Sequence, residues 1–118
     1  MKDRSTEHRE IEDYLRDILD SMEKAQQFVK NLSYNKFADD DKTIFAVVRA
    51  LEIIGEATKN ISDDIRKSNP DVPWKDMAGM RDILIHDYIG VDVETVWLTV
   101  TKKIPEVKPL IQKLLTKL

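Results

Sequence analysis

Apolar side chains between residues 5 and 32 recur at Ile11, Tyr14, Leu15, Ile18, Leu19, Met22, Ala25, Phe28, Val29 and Leu32. Their steps of one and three residues lay a single stripe along a helix of period 3.6. Ser5 or Thr6 can cap its start. Asn31, Ser33, Tyr34 and Asn35 then read as a loop. A second run, from Lys42 to about Lys59, carries Ile44, Phe45, Val47, Val48, Leu51, Ile53, Ile54 and Ala57. These positions occupy more than one face, which predicts a central helix contacted from two sides. The preceding triplet Asp39-Asp40-Asp41 supplies a cap and places negative charge at the positive end of the helix dipole. Gly55 inside this helix costs ~1 kcal/mol relative to Ala, a choice that the close approach of another backbone would explain. Arg49, Glu52 and Glu56 are spaced to share one helix face.

Ser62 is placed to cap a short helix through about Ser68, ended by Asn69-Pro70. Pro73 suits the first turn of a helix running to residue 86 or 88, with Gly90 as its terminator and Asp92 as the next cap. Residues 93–103 carry Val93, Val96, Trp97 and Val100 on one stripe. Pro105 either kinks this segment or begins a last helix through Leu118, whose stripe is Leu110, Ile111, Leu114 and Leu115. No stretch alternates with period two, and hairpin dipeptides are missing. The expected fold is all-α, an antiparallel bundle of four or five helices forming one domain over residues 1–118. Trp74 and Trp97 are expected in its core or at an interface.

Composition narrows the function. Cys is absent and only His8 and His86 are present, so thiolate chemistry and a multi-His metal site within one chain are excluded. Gly55, Gly79 and Gly90 are too dispersed for a phosphate-cradling loop, so no cofactor or metal is expected. The start, Met1-Lys2-Asp3-Arg4, leads into charge rather than a signal-peptide core, and a cytoplasmic protein without membrane spans is expected. The net charge of −3 argues against a life of non-specific DNA binding. The sum hides an asymmetry: residues 96–118 hold Lys102, Lys103, Lys108, Lys113 and Lys117 against Glu106, leaving −7 on residues 1–95. This basic end is either a nucleic-acid footprint or the solvated face of a helix.

One dense polar cluster remains, Arg81-Asp82-Ile83-Leu84-Ile85-His86-Asp87-Tyr88. Its side chains suit phosphoryl chemistry. A guanidinium grips phosphate oxygens bidentately and stabilises transition-state charge. An imidazole, with an ordinary pKa of about 6.5, exchanges a proton near neutral pH. RNA carries its own nucleophile in the 2′-hydroxyl. On an ideal helix Arg81 and His86 lie ~140° apart, Asp82 sits one turn before His86, and Tyr88 falls almost above Arg81. Arg81 must therefore reach around, the helix must loosen, or a second subunit must close the cleft. A purely structural alternative pairs Arg81 with Asp82 or Asp76, makes His86 a helix cap and sets Tyr88 at the edge of the core.

The segment closely resembles the signature of the HEPN superfamily, and in its form Arg-x4-His-x-Tyr it resembles the HepT toxins of toxin–antitoxin pairs. Arg81, His86 and Tyr88 fill its three places, and Asp82 stands where a polar residue follows the Arg. The resemblance extends to Arg49–Ala57, Val72-Pro73-Trp74, Gly90-Val91-Asp92, Val96-Trp97 and Ile104-Pro105, so nearly the whole chain takes part. It implies a homodimeric all-α bundle and a metal-independent endoribonuclease. Arg81 would bind the scissile phosphate and His86 would move the proton of the attacking 2′-hydroxyl, with Asp82 orienting His86. It also implies a partner, the minimal nucleotidyltransferase MntA, that silences the toxin by AMPylation of Tyr88. Lys102, Lys103 and Lys108 would then steer RNA. Asp82 departs from the Asn of many superfamily members and adds negative charge beside the phosphate. The alternative is a non-catalytic adaptor that binds a nucleotidyltransferase or a nucleotide through the same cleft.

Overall fold

The long stripe is realised as α1 (Arg4–Phe28) in a computed structural model that describes residues 4–81 and 92–118, with side chains from residue 10 onward. Leu15, Ile18, Met22 and Ala25 are wholly buried along it. The chain turns at Asn31, whose φ of 65° is left-handed, a conformation that Asn tolerates because its side chain bonds locally. The expected loop then holds a short helix, α2 (Tyr34–Ala38). The Ser33 hydroxyl caps it by accepting from the Lys36 amide at 3.2 Å, and Phe37 is buried completely. Five residues with one buried side chain are too few to show a period.

The middle Asp of the triplet caps α3 (Asp41–Lys59). Asp40 accepts the Thr43 hydroxyl at 2.6 Å and the Thr43 amide at 3.1 Å, bonds that hold its carboxyl below the usual range. α3 is the central helix: α1 packs along one side, α5 (Trp74–Gly79) along another, and α2 touches it near its start. Ser62 caps α4 (Asp63–Ser68), as its position predicts. From α4, Arg66 reaches back and donates to the Thr58 and Ile61 carbonyls at 2.7 and 3.2 Å. It thereby adds a second donor to the Thr58 carbonyl, which already accepts from the Ile61 amide at 3.1 Å, and brings a cation to the negative end of the α3 dipole.

Pro73 stands at the N-cap of α5 rather than inside its first turn, and the helix ends at Gly79, short of the expected residue 86. Gly79, the poorest helix former in that run, is followed by a turn at residues 80–81. The expected helical end near residue 88 and the terminator Gly90 lie outside the described residues. Asp92 caps α6 (Val93–Leu98) with the same pair of bonds that Asp40 uses, to the Thr95 amide at 3.1 Å and hydroxyl at 2.8 Å. α6 runs through a π-turn (Thr99–Lys103) into α7 (Ile104–Thr116). Pro105, which cannot donate a hydrogen bond, lies in the first turn of α7, and the Ile104 amide reaches five residues back to the Thr99 carbonyl. The wider turn lets one helical rod continue past the proline. Ile104, Val107, Ile111 and Leu114 of α7 are buried, and Leu110 and Leu115 pack against the core beside them. No strand occurs among the described residues, which form the all-α bundle expected, and no helix there is long and apolar enough to cross a membrane.

Candidate active site

Arg81 is the residue of the motif that the structure describes. It stands at the end of α5, and that short helix is held firmly. Trp74, Met77 and Met80 recur every three residues and are all buried. The Trp74 indole N–H donates to the Asn69 carbonyl at 3.0 Å, so the ring satisfies its one polar atom inside the core. α5 meets α3 at Gly55. A Cβ placed there would lie 2.8 Å from both the Arg81 amide nitrogen and the Arg81 Cβ, and 3.1 Å from the Ala78 carbonyl oxygen. The close approach expected of Gly55 is therefore real, and the backbone that approaches is that of Arg81.

Arg81 is half-buried, and among the described residues it forms no ion pair. Asp76 is not its partner, and Asp82 lies outside the described residues. Glu52, one turn before Gly55, is tied to Arg49 at 3.1 Å instead. The α3 acids thus form no ion pair with Arg81. Asp82, His86 and Tyr88 fall outside the described residues.

The three lysines do not share one environment. Lys102 and Lys103 end the π-turn and are exposed. Lys103 helps to line a small cavity of about 140 Å³ with Met77 of α5 and Met80 just past its end, which places it on the α5 side of the rod. Lys108 is turned toward α1: its ammonium donates to Gln26 Oε1 at 3.1 Å and lies 3.7 Å from Glu23, with its side chain 22% exposed. Trp97 packs edge-on to Tyr34 and tilted against Phe37, with ring centroids 6.0 and 5.2 Å apart, and so clasps α6 to α2. Both tryptophans serve the packing. Sequence reasoning missed the Gly55–Arg81 contact, although a lone glycine in a buried helical run was its signal.

The family model for "Ribonuclease HepT-like" matches residues 18–114. The chain belongs to the HepT-like ribonuclease family. A Thermococcus cleftensis protein named "Probable ribonuclease HepT" is 49% identical over 90% of this chain and 96% of its own length. A Methanocaldococcus jannaschii protein named "Putative RNase MJ1216" is 48% identical over 91% of this chain and 88% of its own. A Caldanaerobacter subterraneus protein named "Putative RNase TTE0752" is 44% identical over 88% and 93%. No solved structure matches the chain.

Proposed function

We propose that this HepT-like chain is an endoribonuclease, the toxin of a toxin–antitoxin pair, acting in the cytoplasm as a homodimer. The observation that carries the reading is Arg81, a half-buried residue in the turn that follows α5, without a carboxylate partner among the described residues, at the head of Arg81-x4-His86-x-Tyr88. Burial strengthens its attraction for phosphate because water screens it less. In the proposed step Arg81 donates to the non-bridging oxygens of the scissile phosphate and stabilises charge that builds there. His86 takes the proton from the 2′-hydroxyl as that oxygen attacks phosphorus. The bond to the 5′-oxygen breaks, and a proton goes to that leaving group. The products are a 2′,3′-cyclic phosphate and a 5′-hydroxyl. No step requires a metal. Asp82 orients His86, and Lys102 and Lys103 attract the RNA backbone, with Lys108 the weaker contributor because it is engaged on α1.

Silencing comes from an MntA-type nucleotidyltransferase. The Tyr88 hydroxyl attacks the α-phosphorus of ATP and pyrophosphate leaves. The added adenylate brings bulk and negative charge to the place where RNA phosphate binds. The test is growth after induced expression of the wild type, Arg81→Ala and His86→Ala, each with and without the nucleotidyltransferase. Arrest by the wild type alone, relieved by the partner with an AMP-sized mass gain on the Tyr88 peptide, is the expected result. Absence of arrest from soluble, unmodified protein would sink the toxin reading and leave the cleft to an adaptor.

A further inference from the structure

We infer that Gly55 is a positioning residue for the cleavage reaction, acting through Arg81; the inference rests on the endoribonuclease reading above. The contact that Gly55 permits is between main chains. A Cβ at this position would lie 2.8 Å from the Arg81 amide nitrogen and Cβ, and 3.1 Å from the Ala78 carbonyl oxygen. Two of these atoms are backbone and the third is bonded directly to it, so none can swing aside as the tip of a side chain would. Carbon atoms in ordinary contact stand about 3.5–4.0 Å apart. Any side chain at residue 55 therefore pushes the end of α5, with Arg81, away from α3 by roughly 0.5–1 Å. Displacements of that size at a catalytic group lower rates by up to about 100-fold. Gly79 provides the matched control: it is also a helical glycine in this junction, and a Cβ there meets nothing within 4 Å.

The test compares Gly55→Ala and Gly79→Ala in cleavage of an RNA oligonucleotide, below the lowest melting temperature. Gly79→Ala is expected to cleave as the wild type does, and Gly55→Ala to lose about 10- to 100-fold in kcat. Affinity for an oligonucleotide with a 2′-deoxy residue at the scissile position then separates positioning from general damage. Gly55→Ala is expected to weaken this binding in the wild type but to change it less than twofold in an Arg81→Ala background. Equal cleavage by the two alanine variants, or losses of affinity that multiply in the double variant, would overturn the role of Gly55. If Gly55→Ala alone does not fold, it is assayed together with Gly79→Ala, whose added helix propensity offsets part of the overpacking; a chain that stays unfolded even then makes Gly55 a folding residue and overturns the inference. Failure of the underlying reading looks different: Arg81→Ala would cleave normally while Gly55→Ala still melted below Gly79→Ala.

Discussion

Arg81 and Lys108 are both cations at junctions with the α1–α3 pair, yet the junctions are built in opposite ways. α5 meets α3 main chain to main chain at Gly55, with no side chain between them. At Lys108, the rim of the α7–α1 seam is closed by long polar side chains, through Gln26 at 3.1 Å and Glu23 at 3.7 Å. Backbone contact sets a position to a fraction of an ångström, because neither side can rotate away. A flexible lysine stem finds a partner over a range of helix separations. The first junction suits a group that must meet a phosphate in one geometry. The second suits a seam that only has to stay closed.

The largest expected contrast is in chemistry. Arg81→Ala should lower the RNA cleavage rate by about 10²–10³-fold, the usual loss when one preorganised donor to a reacting oxygen is removed. Lys108→Ala should change it less than about threefold. Single-turnover cleavage of one oligonucleotide by both variants checks this. Equal losses would erase the distinction between the junctions.

Stability comes next. Gly55→Ala should destabilise the fold by about 1–3 kcal/mol through overpacking, despite the better helix propensity of Ala. Gly79→Ala should be neutral or stabilise by up to about 1 kcal/mol. Urea titration of the two variants reads the difference directly, and equal midpoints would mean that α5 yields. At the seam, Lys108→Met keeps the apolar stem and removes the charge. Its effect should stay under about 1 kcal/mol, because Glu23 is 58% exposed and such pairs contribute little. A loss as large as that of Gly55→Ala would show the seam to be as exacting as the junction.

These contrasts also show which features could be read along the chain. Caps and long stripes were legible because they are local: Asp40, Ser62 and Asp92 each bond an amide three residues ahead. Gly55 was half legible, since the cost of a helical glycine signals an approach but cannot name what approaches. The short α2, with Phe37 as its one buried residue, carries no period to detect. The π-turn before Pro105 is settled by how the rod packs, so the choice between a kink and a new helix stayed open. The orientation of Lys108 depends on Gln26 and Glu23, more than 80 positions away, and no local pattern encodes it. Of the motif, Arg81 alone has a described setting, and its identity was legible from spacing and residue type.

The smallest expected effect compares two caps of one design on either side of the site. Asp40 opens α3 and Asp92 opens α6, each accepting both the amide and the hydroxyl of a Thr three residues on. In both, the Thr hydroxyl bond is the leading cause that lowers the carboxyl pKa below its ordinary 3.8. A carboxylate whose pKa is lower in the folded than in the unfolded chain adds stability above the unfolded value and loses it as pH falls through the folded value. Asp40→Ala and Asp92→Ala should therefore melt below the wild type at pH 6, with the gap narrowing once pH drops under about 3.8. Thermal melts from pH 6 to pH 2.5 test it. A gap that holds constant to the lowest pH would show that the caps act through neutral hydrogen bonds alone. Asp40 also secures the start of the helix that carries Gly55, so its loss should lower melting without touching the Gly55–Arg81 contact, and cleavage well below the melting temperature should be unchanged.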